Sequence, residues 1–165
     1  MSIQRAVLCY VIKDGKVLMI RGRKKHAPHY QLWNGLGGKY EPEDGGDPTA
    51  CLKRELWVEG GIAPLRLDRV GTLRVSGLSH DSNWVVDLYR AYGYDGEVLA
   101  SGQEGDLRWF DTSRPEGIET LPGDQYFLPW VFCGKYFDAE LKYESGFFSC
   151  FSCTFTSPSA GSHAV

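Results

Sequence analysis

Two acids, Glu55 and Glu59, stand four residues apart in the stretch GGKYEPEDGGDPTACLKRELWVEGGI, residues 37–62. On a helix that spacing puts both carboxylates on one face, one turn apart. Two like charges so placed repel by roughly 0.2–0.5 kcal/mol in an isolated helix. A cation held between them removes that cost. Carboxylate oxygens are hard donors suited to Mg²⁺, which takes one or two carboxylates together with waters and substrate phosphates. The ordinary alternative is the wet face of an amphipathic helix, with the neighbouring Arg54 a surface charge. The spacing alone does not choose between the two.

The helix that must carry these acids is bounded on both sides. Asp47-Pro48 is a helix start: Asp caps, and Pro fits the first helical position. Gly60-Gly61 supplies a stop with the backbone freedom for a left-handed cap. The expected helix is therefore Pro48–Glu59, with Leu52 and Leu56 on the face beside the acids and Ala50 and Trp57 nearby. Ahead of it, Gly37 and Gly38 have no side chains to hold the backbone away from a bound ion.

Taken together, Gly38, Asp44 after five intervening residues, Arg54-Glu55-Leu56, Glu59, Gly61 and Ile62 resemble the Nudix box. The likeness extends to RKKHAPHYQLWNGLGGK, residues 23–39, and to LPGDQYFLPWVFCGKYF, residues 121–137. Both are similar to segments of MutT-type enzymes, and most of all to the mammalian-type oxidised-purine nucleoside triphosphatases. There are three departures. The stretch between Asp44 and Arg54 is two residues longer than the box, a difference the cap at Asp47 can absorb. The loop acid is Asp44 rather than Glu, with Glu43 or Glu41 as substitutes for bracing Arg54. The box's adjacent pair of glutamates is Val58-Glu59 here, so one carboxylate is missing.

The resemblance implies an α+β fold, a Nudix-like α/β/α sandwich with a mixed β-sheet between helices. It implies Mg²⁺, with Mn²⁺ able to substitute, held by Glu55, Glu59 and the Gly38 carbonyl, with Glu104 in the place of the family's extra acid and Asp106 as the fallback. Arg54 completes the catalytic set, and Glu55 or Glu104 would accept the proton of an attacking water. The implied reaction is hydrolysis of a nucleoside triphosphate, with an oxidised purine as one candidate, to a nucleoside monophosphate and pyrophosphate. Other substrates linked through a nucleoside diphosphate remain open, as does a degenerate module that only binds nucleotide. Asn34 and Asp124 match base-reading positions. The second base-reading acid is replaced by Gly123 and the stacking Trp by Leu121, leaving Tyr30, Trp33, Trp84 or Phe127 as replacement stackers. Lys39 and the run Arg23 to Lys25 are the phosphate contacts.

Other elements frame this region. Ile3–Lys13 and Lys16–Arg23 read as strands joined by an Asp-Gly turn, and Lys24–Leu32 as a surface loop. Leu65–Val75, Trp84–Tyr92, Asp106–Asp111 and Ala139–Tyr143 read as further strands. Asp124–Phe137 reads as a helix with Asp124 at its N-cap and Pro129 marking a kink or a late start. Residues 1–145 are expected to form the domain and 146–165 a tail rich in Phe and Ser. That tail either docks as an extra element or is disordered, with disorder favoured beyond Ser157.

The 165 residues carry a formal net charge of −3, with 42% hydrophobic and 24% charged residues. That charge argues against binding long nucleic acid, which needs a basic surface, although RGRKKH at 21–26 forms a local cationic lip suited to polyphosphate. No apolar run reaches the ~20 residues of a membrane span. The five scattered cysteines do not suggest a disulfide framework, and the chain reads as cytosolic.

Overall fold

The computed structural model describes residues 1–100 and 105–158, and the backbone of 163–164. Among the described residues, ten strands and two α-helices follow the order β1 (Ser2–Lys13), β2 (Lys16–Gly22), β3 (Trp33–Asn34), β4 (Leu36–Lys39), α1 (Pro48–Gly60), β5 (Ile62–Ser76), β6 (Ser82–Gly96), β7 (Gly105–Asp111), α2 (Asp124–Phe132), β8 (Phe137–Glu144), β9 (Phe147–Phe155) and β10 (His163–Ala164). The main sheet runs β3-β2-β1-β6-β5-β8-β9; β7 pairs with β2, β4 with β1 and β10 with β5. It is mixed: β1–β6 and β5–β8 are parallel, and the other pairs are antiparallel.

Alternation along the strands places a core on each face of the sheet. Val7, Cys9 and Val11 of β1 join Leu52 and Leu56 of α1 on one side. Tyr10 of β1 joins Phe127, Leu128 and Val131 of α2 on the other. The sheet is thus sandwiched between two helices, the expected α+β arrangement. Full burial of Leu52 and Leu56 contributes about 1.5–3 kcal/mol each. Trp57, expected near these leucines, is instead 63% exposed.

The second helix departs from expectation at both ends. Gly123 is the cap residue, Asp124 is the first helical residue, and its carboxyl is turned into the protein and buried. The helix ends at Phe132 rather than Phe137, because Gly134 adopts a left-handed conformation with φ 85° and Lys135 N donates to Trp130 O at 2.9 Å. Arg90 of β6, fully buried, holds this end. Its Nη1 donates to Val131 O at 3.1 Å and Lys135 O at 2.7 Å. Its Nε and Nη2 donate to Asp68 Oδ2 at 3.2 and 2.9 Å. The boundary expected at residue 145 falls in a hairpin turn. Residues 147–155 return as β9 against β8, and Phe148 and Phe151 stack on Tyr126 with centroids 5.1 and 5.3 Å away.

Removing Arg90 would leave the buried Asp68 carboxylate, the Val131 carbonyl of the helix and the Lys135 carbonyl just beyond it without this donor. Arg90→Met should therefore lower stability by about 3–5 kcal/mol. Thermal melting followed by circular dichroism reads this directly, and an unchanged midpoint would show that the pair does not anchor α2.

Candidate active site

Helix α1 begins as the sequence reading expects. Asp47 Oδ1 accepts hydrogen bonds from Thr49 N and Thr49 Oγ1, both at 2.9 Å, and Pro48 follows as the first helical residue. The two additional residues of the preceding loop are absorbed by a 3₁₀ turn at Pro42–Asp44 followed by left-handed Gly45 and Gly46, with φ 61° and 78°. Gly61 caps the far end at φ 70°.

Arg54 ties this helix to the loop and to β4. Its Nε and Nη2 form a fork on Asp44, at 3.0 Å to Oδ1 and 2.8 Å to Oδ2. Nη2 also donates to Lys39 O at 3.2 Å, and Nη1 donates to Glu55 Oε1 at 2.8 Å. Asp44, rather than Glu41 or Glu43, therefore braces the box arginine. Its buried carboxyl accepts a further bond from Glu41 N at 2.7 Å. The Arg54 guanidinium holds the Asp44 carboxyl well below the usual carboxylate range, and the two carboxylates beside it push Arg54 further up.

Both candidate ligands meet the diglycine strand. Gly37 N donates to Glu59 Oε1 at 2.6 Å. At Gly38 a Cβ would lie 2.6 Å from Glu55 Cδ, a separation real Cβ atoms essentially never show. Only glycine lets the backbone come this near the Glu55 carboxylate. Two hard oxygen donors, a backbone held against them and a bracing arginine suit a divalent cation, with Gly38 O, water or substrate completing the shell. No third acid joins them: among the described residues there is no group of three or more His, Cys, Asp or Glu able to hold a metal. Glu104 lies outside the described residues. The fallback Asp106 is engaged elsewhere, accepting from Arg21 Nη2 at 2.8 Å and from Arg23 Nη2.

The remaining expected contacts are spread over the other sheet face and the loop. Lys39 does not point with Gly38; its Nζ lies 5.2 Å from the Trp84 ring. Lys25 is exposed on the 23–32 loop. Asn34 Oδ1 accepts from Gly35 N at 2.9 Å, the turn-forming role. Asp124 is buried near Tyr10, and burial pushes its carboxyl up to about 7. Tyr10 Oη, fully enclosed, meets no hydrogen-bond partner among the described residues. Of the replacement stackers, Trp33 and Phe127 are buried in the core, while Tyr30 and Trp84 are only partly covered. The residues missed by the sequence reading are Tyr40 and Asp87, whose side chains meet across the sheet at 2.7 Å.

Comparison with known proteins shows the family and the fold. The family profile of the NUDIX domain matches residues 2–131, and the chain belongs to the Nudix family. By that membership it is a Nudix pyrophosphohydrolase, in a family that uses divalent cations. Over 137 residues it is 28% identical to an oxidized purine nucleoside triphosphate hydrolase of Danio rerio, covering 83% of this chain and 85% of that one. Over 136 residues it is also 28% identical to the Nudix hydrolase YvcI of Bacillus subtilis, covering 81% and 82%. A MutT protein from Bacillus halodurans superposes with a TM-score of 0.78 at 22% identity, covering 91% of this chain and 97% of that one. At that identity the likeness concerns the fold.

Two outcomes follow from the site. Gly38→Ala should displace the Glu55 carboxylate, and since a misplacement of ~1 Å costs on the order of 100-fold, kcat/KM for nucleotide hydrolysis should fall by about that factor. A variant as active as the parent would show that Gly38 is not fitted to Glu55. Asp124 carries the opposite pH signature to Asp44. Its folded-state pKa is raised, so the folded protein binds the extra proton between the unfolded value of about 3.9 and about 7. Its contribution to stability thus falls as pH rises through that window and is flat above it. Melting temperatures between pH 5 and 8 should show this decline in the parent, and Asp124→Asn should remove it.

Proposed function

We propose that the chain is a Mg²⁺-dependent nucleoside triphosphate pyrophosphatase of the MutT type, releasing a nucleoside monophosphate and pyrophosphate. The observation that carries this reading is the clamp of Arg54 on Asp44, Glu55 and Lys39 O beside the Gly38 backbone. Glu55, Glu59 and Gly38 O would hold the ion, with Mn²⁺ able to replace it. When bound, the cation neutralises phosphate charge and acidifies an attacking water. Arg54 Nη1 aims the Glu55 carboxylate, while Gly37 N fixes the Glu59 carboxylate. Glu55 or Glu104 receives the proton from water. Arg23, Lys25 and Lys39 are the candidate cations for the phosphate chain.

The base would lie near Tyr10, between Asp124 and the turn at Asn34. Support comes from Asp124, which sits within its titration range near neutrality and can donate or accept toward a purine edge. The similarity to the Danio rerio oxidized purine nucleoside triphosphate hydrolase supports an oxidised purine as one candidate substrate. A second reading keeps the chemistry but changes the leaving group to another diphosphate-linked moiety. Leu121 and Gly123 favour it, since they lack a stacking ring and a second base-reading acid. The structure of the Shewanella oneidensis NrtR NUDIX domain with ADP ribose, matched at a TM-score of 0.54, shows such a ligand on this fold.

A panel of normal and oxidised nucleoside triphosphates, dinucleoside polyphosphates and nucleoside diphosphate sugars, each with Mg²⁺, separates the two readings. Turnover of a triphosphate to monophosphate and pyrophosphate, abolished by EDTA and restored by Mg²⁺ or Mn²⁺, is the expected result. Glu59→Gln should lower kcat by about 100-fold or more. Turnover confined to the other substrates would shift the assignment to the second reading, and none on the whole panel would remove both.

A further inference from the structure

Tyr40 stands directly after β4, where the diglycine strand ends and the box loop begins. Its N donates to Arg5 O at 3.1 Å, and its hydroxyl donates to Asp87 Oδ2 on β6 at 2.7 Å. Asp87 is 8% exposed. Its Oδ1 accepts from Arg69 Nη2 on β5 at 3.0 Å, and Arg5 Nη2 lies 3.5 Å from Oδ2. The Arg5 guanidinium also covers the Tyr40 ring, 4.7 Å from its centroid. One side-chain bridge therefore runs from the end of β4 over β1 to β6 and on to β5.

The strand that Tyr40 terminates needs such an anchor. β4 is four residues long, two of them glycine, and among the described residues it is hydrogen-bonded as a strand to β1 alone. Glycine adds freedom rather than stiffness. Yet this strand must hold Gly38 against the Glu55 carboxylate, and the Lys39 carbonyl where Arg54 Nη2 reaches it at 3.2 Å. The demand is sharper here because Val58 stands where the box has a glutamate. Helix spacing places residue 58 beside Glu59 and one turn from Glu55. With two carboxylates instead of three, a shift in either ligand loses a larger share of the cation's grip.

We propose that the Tyr40 hydroxyl, latched to Asp87, is a positioning residue for the divalent-cation site, acting through the Lys39 carbonyl and Arg54 on Glu55. The inference rests on the cation-binding reading of Glu55 and Glu59. It follows that the latch compensates for the missing carboxylate, so its importance should fall when that carboxylate is restored.

The test is Mn²⁺ binding to the full chain without nucleotide, read from the loss of the free-ion signal in electron paramagnetic resonance. The proteins are the parent, Tyr40→Phe, Asp87→Asn, Val58→Glu and the double variant Tyr40→Phe/Val58→Glu. Loss of a partner behind a metal ligand typically weakens affinity 10–100-fold, so Tyr40→Phe should raise the Mn²⁺ Kd about tenfold while leaving the melting temperature nearly unchanged. Asp87→Asn, which keeps an acceptor of the same shape, should fall between it and the parent. In the Val58→Glu background the Tyr40→Phe penalty should shrink to about threefold, a coupling a merely structural tyrosine would not show. Equal Mn²⁺ affinity in Tyr40→Phe and the parent would overturn the proposal, as would losses that simply track melting temperature across the series. A parent that binds no Mn²⁺ into the millimolar range would overturn the cation site itself, and the latch with it.

Discussion

The Arg54 guanidinium is the interaction on which the rest of the site depends. It makes contacts in three directions: to the loop through Asp44, to its own helix through Glu55, and to β4 through Lys39 O. Three pieces of backbone that are separate in sequence are thereby fixed to one rigid planar cation. A lysine could satisfy one of these directions but not the fork on Asp44. The same guanidinium reaches along its own helix as well: Nη1 donates to Glu55 Oε1 at 2.8 Å, which fixes where that carboxylate lies beside the second acid one turn away.

Fold and clamp depend on each other. Helix α1 is seated by Leu52 and Leu56 in one core, while the diglycine strand is paired with β1, which carries residues of both cores. A shift of β1 would therefore move the strand relative to the acids. The interlocked packing on both faces of the sheet resists such shifts, since close-packed interiors tolerate little displacement. On the opposite face, Asp124 occupies a drier setting, where burial rather than a neighbouring charge governs its proton. One sheet thus presents a clamped pair of acids on one side and an acid enclosed by burial on the other.

The local parts of this arrangement were legible in the sequence. Asp47-Pro48, Gly61 and the Glu55–Glu59 spacing each carry their meaning within one or two helical turns, and the helix lies within a residue of where they place it. The hairpin of β1 and β2 was equally legible from Asp14-Gly15. The end of α2 was not, because it is set by a left-handed Gly134 and by Arg90, a residue 41 positions from its carbonyl partner Val131. Tyr40 and Asp87 were invisible for the same reason, being 47 positions apart with no periodic pattern linking them. The strand β9 was half legible. Its Phe and Ser content left docking and disorder both open, and the register shift opposite Lys142 and Tyr143 interrupts the pattern that would have identified a strand.

The hairpin of β8 and β9 has a bearing on how the chain assembles. Tyr126 and Trp130 of α2 rest on rings supplied by Phe148, Phe151 and Phe155. During synthesis helix α1 and the strands around it leave the ribosome well before those rings do. For that interval Tyr126 and Trp130 lack these ring partners, and transiently exposed apolar surface of this kind is what makes a partly folded chain prone to aggregate.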